Sequence, residues 1–171
     1  AKRHSTMKTL YFLRHAKSDW NDDQLTDADR PITKRGKRDG QLVAAELQRS
    51  GRRFKYVYCS TAKRAQETLK RFQGDSDVFD DAEIIHENAV YTFEAAKLLA
   101  WLKELPQSQD SAVVIGHNPA LAELANYLYD GKLGHVGTCT FMELEINIEY
   151  WDHLGADSAK LTDIIRPKQF R

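Results

Sequence analysis

Apolar positions along the chain come in short runs, separated by stretches in which they recur every three or four residues. Residues 9–13 form a β-prone apolar run that stops at Arg14-His15, which predicts a strand ending in polar residues. After Pro31, Thr33 is placed to cap a helix whose Val43, Ala44 and Leu47 share a face, and Ser50-Gly51 stops it. Residues 56–59 predict a second strand, with Ser60-Thr61 as a turn or cap and a helix over 62–72. A weaker third strand covers 83–86. Between 93 and 105, Ala95, Leu98, Leu99 and Leu102 fall at i, i+3, i+4 and i+7 before Pro106, an amphipathic helix with Trp101 expected in the core.

Residues 112–115 are continuously apolar, as suits a strand buried on both faces. Asn118 is then a plausible N-cap and Pro119 a first helical residue, leading a helix over 121–129 with Tyr127 expected in the core. The stretch 141–148 largely alternates and predicts a strand with one wet face. Gly155 marks a turn before an edge strand over 160–165, with Trp151 capping that hairpin. Strands alternating with helices predict an α/β fold of three αβα layers, its central sheet mostly parallel with an antiparallel edge.

Composition narrows the function classes. The 171 residues fit one domain, expected over 1–171, with the polar, basic residues 1–7 as a flexible leader. Twenty-five basic residues balance twenty-five acidic ones, so no global charge draws the chain to nucleic acid or anionic lipid. No apolar run reaches the ~20 residues of a membrane span. Cys59 and Cys139 have no CxxC or metal-like spacing and predict reduced, buried thiols. The apolar stretch around Leu10 is too short for a signal-peptide core, so a cytoplasmic protein is expected. Charge is nonetheless uneven. Residues 30–55 hold nine Lys/Arg against two acids, and 73–96 hold seven acids and no Lys or Arg. The basic segment is a candidate docking face for an acidic partner. Phe54 is its only aromatic residue, which argues against nucleic-acid binding.

Three polar clusters sit just after predicted strands: Arg14-His15, Ser60 to Arg64, and Gly116-His117-Asn118. If those strands are parallel, their carboxyl ends form one crevice. It would hold two histidines and two arginines with no obligatory carboxylate, a collection suited to a phosphoryl group. A helix N-terminus near Asn118 would add backbone donors, and a neutral histidine is a competent nucleophile toward phosphorus.

These residues resemble the motifs of the histidine phosphatase superfamily. Leu13-Arg14-His15-Ala16-Lys17 resembles its N-terminal signature, Arg64-Ala65-Gln66-Glu67-Thr68 its second motif, and Ile115-Gly116-His117-Asn118-Pro119 its second histidine motif. Arg30-Pro31-Ile32-Thr33 with Arg35-Gly36 resembles a segment of the small SixA-type phosphohistidine phosphatases. The resemblance runs from residue 9 to about residue 130 and implies a phosphoglycerate mutase-like fold. It also implies hydrolysis of protein phosphohistidine without a metal or other cofactor. His15 would be the nucleophile. Arg14, Arg64 and His117 would hold the phosphoryl oxygens. Arg30, Asn118 and Lys17 would be further substrate contacts.

Two positions depart from the pattern. Ala16 stands where glycine is common, which requires an ordinary negative φ. Glu87 is the candidate general acid, although Asn88 could take its place. A site with a weak acid favours phosphohistidine, whose imidazole leaves readily once protonated, over alkyl phosphates. The expected partner is a phosphorylated protein, such as a histidine phosphotransfer domain, or a small phosphorylated molecule. A small-molecule phosphomonoesterase is the alternative enzyme, and a non-catalytic phospho-ligand binder the alternative class. His4, His86, His135 and His153 read as structural or exposed, and Asp19-Trp20 either as a partial cover for the cleft or, for Trp20, as edge packing.

Overall fold

The computed structural model describes residues 7–171, and the expectations for residues 1–6, including His4, lie outside the described residues. Six strands form one sheet: β1 (Lys8–Arg14), β2 (Tyr56–Cys59), β3 (Glu83–His86), β4 (Ser111–Gly116), β5 (Phe141–Ile146) and β6 (Ala159–Ile165). Their spatial order is β3-β2-β4-β1-β5-β6. β3, β2, β4 and β1 are parallel; β5 runs antiparallel to β1, and β6 antiparallel to β5. The four main helices are α1 (Lys34–Arg49), α2 (Lys63–Asp75), α3 (Ala95–Leu102) and α4 (Ala120–Leu128).

Period-two alternation in the central strands divides the core into two layers. Leu10, Phe12 and Val114 pack with Leu98, Leu102, Leu121 and Leu124, so α3 and α4 cover one face. Leu13, Val113 and Ile115 pack with Val43, Leu47, Leu69 and Phe72, so α1 and α2 cover the other. This is the expected three-layer αβα arrangement with an antiparallel edge.

Local signals explain most boundaries. Thr33 Oγ1 accepts from the Gly36 N–H at 3.0 Å and caps α1, and Gly51, with φ of 79°, ends it. α3 is shorter than its apolar pattern, because the chain tightens after Leu102 into turns closed by Glu104 N–H to Trp101 O and Leu105 N–H to Leu102 O. α4 starts one residue later than Pro119 at N1 would give. Asn118 nevertheless supplies its side-chain oxygen to the Ala122 N–H at 3.2 Å.

Three aromatic residues depart from expectation. Tyr127 is exposed, because Leu121, Leu124, Ala125 and Leu128 define the buried face of α4. Trp101 is half-buried, edge-on to Tyr58. Trp151 does not cap a hairpin; it is fully buried and donates from Nε1 to Gln109 O at 2.8 Å.

The basic segment is not one free face. Arg52 pairs with Asp163 and Glu143, Arg49 with Glu46, and Arg53 with Asp77 and Asp81 of the acidic stretch. Among the described residues no helix is long and apolar enough to cross a membrane.

Candidate active site

The carboxyl ends of β1, β2 and β4 lie side by side, and backbone bonds continue beyond the strands. His15 N–H donates to Gly116 O at 3.1 Å, and Ser60 N–H to Ile115 O at 3.0 Å. All three polar clusters therefore meet. One turn into α2 from Arg64, Thr68 Oγ1 accepts from the Ala16 N–H at 2.9 Å and donates to the Arg64 carbonyl at 2.7 Å. The spacing of Arg64 and Thr68 thus places a guanidinium in the site and locks the residue that follows His15. Ala16 has no positive φ, which accounts for alanine there.

The hydrogen bond at His15 decides its tautomer. Nδ1 lies 2.7 Å from the Ala16 carbonyl, which can only accept, so Nδ1–H donates and Nε2 keeps its lone pair. Burial pulls the His15 pKa down to about 4; the Ala16 bond opposes this, and Arg64 and Arg14 add to it. His117 lies deeper, 1% exposed, its ring 5.2 Å from that of His15 and packed by Tyr91 and Phe93. Burial, then His15 and Arg64, lower its pKa to about 3. Both rings are neutral at neutral pH. His117 Nε2 is 2.7 Å from Ser60 Oγ, and its Nδ1 is buried with no partner.

Arg64 is 2% exposed, and a carboxylate that sequence reasoning missed orients it. Its Nη1 donates to Asp27 O at 2.7 Å and its Nη2 to Asp27 Oδ2 at 3.0 Å. Tyr91 O–H also donates to Asp27 Oδ2. Asp27 thus adds to the cleft a carboxylate that was not among the expected site residues. Partial burial pushes the Asp27 carboxyl up, but the bonds from Tyr91 and Arg64 outweigh it and hold the group ionised, below its ordinary pKa. No local pattern marks Asp27 or Tyr91, because a short 3-10 turn (Asp27–Asp29) and the loop after β3 bring them in.

The other expected residues divide. Arg14 lines the cleft and donates from Nη1 to Val136 O at 3.0 Å. Asn118 also lines it, but its amide is engaged at both ends, with Val136 O and Ala122 N–H, so it chiefly holds the loop before β5. Lys17 lines the cleft and is exposed. Arg30 does not; its guanidinium lies 4.1 Å from the ring centre of Trp20, which does.

Glu87 is not a cleft residue either. Its carboxylate accepts from the Ala89 N–H at 3.3 Å and caps a 3-10 turn, while Asn88 Oδ1 accepts from the Thr61 hydroxyl. His135, expected as a bystander, lines the cleft.

The cleft has a volume of about 740 Å³, and exposed Trp20 and Phe93 stand at its edge. Arg14 Nε, Arg64 Nε, Arg30 Nε and Nη1, and His117 Nδ1 are buried polar atoms without protein partners. The orphaned donors of Arg14, Arg64 and His117, beside the neutral His15 imidazole, suit a tetrahedral oxyanion. Among the described residues no group of three or more His, Cys, Asp or Glu is arranged to hold a metal ion.

Residues 10–90 match the profile of the histidine phosphatase superfamily (branch 1). A protein of Arabidopsis thaliana, named as an uncharacterized chloroplastic protein, is 30% identical over 95% of this chain and 79% of its own length. Among solved structures, SixA from Nakamurella multipartitia superposes with a TM-score of 0.78 at 24% identity, over 96% of this chain and 99% of its own. The protein histidine phosphatase SixA complexed with tungstate gives 0.78 at 18% identity, over 95% and 99%.

Proposed function

The chain belongs to the histidine phosphatase superfamily, and from that premise we propose that it is a SixA-type phosphatase that hydrolyses protein phosphohistidine through a phosphohistidine intermediate on His15. The observation that carries this reading is the state of His15: a neutral ring whose Nδ1–H is tied to Ala16 O, leaving Nε2 as the free lone pair beside two arginines. In the proposed reaction Nε2 attacks phosphorus in line. The bond from phosphorus to the substrate ring nitrogen breaks, and its electron pair returns to that nitrogen. Arg14, Arg64 and His117 stabilise the equatorial oxygens. Water then attacks the phosphoenzyme, releasing phosphate and regenerating His15.

The poverty of acids in the cleft supports phosphohistidine over alkyl phosphates. Glu87 is turned to the Ala89 N–H, away from the cleft-lining residues, and Asp27 is held ionised by Tyr91 and Arg64, so neither is set to protonate an alkoxide. An imidazole protonated on its distal nitrogen leaves without such help, whereas an alkoxide forgoes the ~10²–10⁴-fold that a positioned acid supplies.

The test is turnover with EDTA present, wild type against His15→Ala, on a phosphohistidine protein and on an aryl phosphate. The reading requires wild type to clear phosphohistidine under chelation and the variant not to. Preference of wild type for small esters would replace it with a phosphomonoesterase.

A further inference from the structure

The cleft carries more positive charge than one phosphoryl group can use. Arg14 and Arg64 match a phosphoryl dianion. Beyond them the wall holds Lys17, Arg35, Arg166, Lys168 and Arg171, while Asp27 is the one carboxylate among the cleft-lining residues and is already paired with Arg64. This wall is built rather than incidental. Asp39, 1% exposed, takes Arg171 through two bonds of 3.1 and 2.7 Å and lies 3.8 Å from Arg35, tying the segment after β6 to the first turns of α1. Pro167 is buried, and Thr33 N–H donates to Lys17 O at 2.8 Å, so each contributing segment is anchored. One buried carboxylate thus offsets two arginines, and Lys17, Arg166 and Lys168 have no ion-pair partner among the described residues. By contrast, Arg52 and Arg53 are neutralised by acids of the chain itself.

We infer that Lys17, Arg166 and Lys168 form a second anion subsite, which takes a carboxylate flanking the phosphohistidine of a protein substrate. The inference rests on the phosphohistidine reading for its source of carboxylate, but its chemistry is only that of a second anionic group of the substrate held in the same cleft. Cations exposed at a rim act mainly on capture and discrimination, with an effect that salt screens.

The experiment compares wild type with the double variant Arg166→Gln/Lys168→Gln on three pairs of measurements. One is a phosphohistidine peptide flanked by Glu against the same peptide flanked by Gln. The second is phenyl phosphate against its carboxyphenyl analogue. The third is the acidic peptide at low and high salt. Wild type is expected to favour the acidic peptide about tenfold in kcat/KM, mostly through KM, with the preference shrinking in salt. In the variant the preference falls to within about twofold, while phenyl phosphate turnover stays within about twofold of wild type.

A wild type that turns over neither peptide refutes the phosphohistidine reading. The subsite is then judged on the carboxyphenyl pair, where loss of a wild-type preference in the variant upholds a second anion site filled by a small molecule. Absence of any preference in wild type, its persistence in the variant, or an equal loss on phenyl phosphate overturns the inference.

Discussion

At the scale of single residues, the chemistry turns on which imidazole nitrogen is free. Nitrogen-15 NMR of the histidine rings should find His15 protonated at Nδ1 and bare at Nε2 at neutral pH, taking up a second proton only as the pH falls toward about 4. A midpoint near 6.5 would remove the buried, neutral nucleophile from the argument. Glu87 supplies a second check at this scale. With its carboxylate on the Ala89 N–H, Glu87→Gln should change phosphohistidine turnover by less than about twofold, whereas loss of a working general acid would cost ~10²-fold or more. Arg14, His15, Arg64 and His117 were legible because each stands beside an apolar run or opens a helix. Asp27 and Tyr91 were not, since a carboxylate between polar loop residues looks the same whether it meets solvent or an arginine.

At the scale of elements, the site depends on how closely the loop after β1 approaches α1. A Cβ at Gly36 would lie 2.4 Å from the Lys17 carbonyl oxygen and 3.3 Å from Ile32 Cβ, so glycine is what lets the first turn of α1 sit against that loop. Gly36→Ala should destabilise the protein by about 1–3 kcal/mol and reduce turnover, as overpacking does. Gly74→Ala is the control: nothing lies within 4 Å of that added Cβ, and a helical alanine should be neutral or slightly stabilising. Equal behaviour of the two variants in urea unfolding would show that the close approach is unimportant. Glu67 acts at the same scale, its Oε1 accepting from the Ile32 N–H at 2.9 Å and tying α2 to the loop that carries Arg30.

At the scale of the molecule, two neutral buried histidines make stability depend on pH. Their folded pKa values, about 4 for His15 and about 3 for His117, lie below the ordinary 6.5 of the unfolded chain. Below 6.5 the unfolded state binds protons that the folded state does not, so stability falls with pH and levels off only below the folded values. Asp27, also depressed, contributes in the same sense: its stabilisation is present above the unfolded carboxylate pKa and is lost as pH falls through the folded one. At about 1.4 kcal/mol per pKa unit the histidines together account for a few kcal/mol between about pH 6.5 and pH 4. Urea unfolding across that range should show the decline in wild type and a flatter curve in His15→Asn/His117→Asn. The same slope in both proteins would place the acid sensitivity elsewhere.

The order of strands and helices, the caps of α1, the two-sided burial of β4 and the residues after β1, β2 and β4 are written locally, because each depends on neighbours within a few positions. Period two, period three to four and the placement of glycine carry them. Tyr127, at the limit of a helical face, is exposed, because a stripe read from sequence has no edge until a neighbouring element covers it. The cleft itself belongs to tertiary structure. Asp27 meets Arg64 across 37 residues and Arg171 meets Asp39 across 132, separations over which no sequence spacing survives. Sequence determined that two histidines and two arginines would follow the carboxyl ends of strands, Arg64 from the first turn of α2. Folding decided which carboxylate orients an arginine, how Thr68 holds the Ala16 backbone whose carbonyl sets the His15 tautomer, and which cations remain unpaired around them, since those depend on groups distant in the chain sharing one desolvated space.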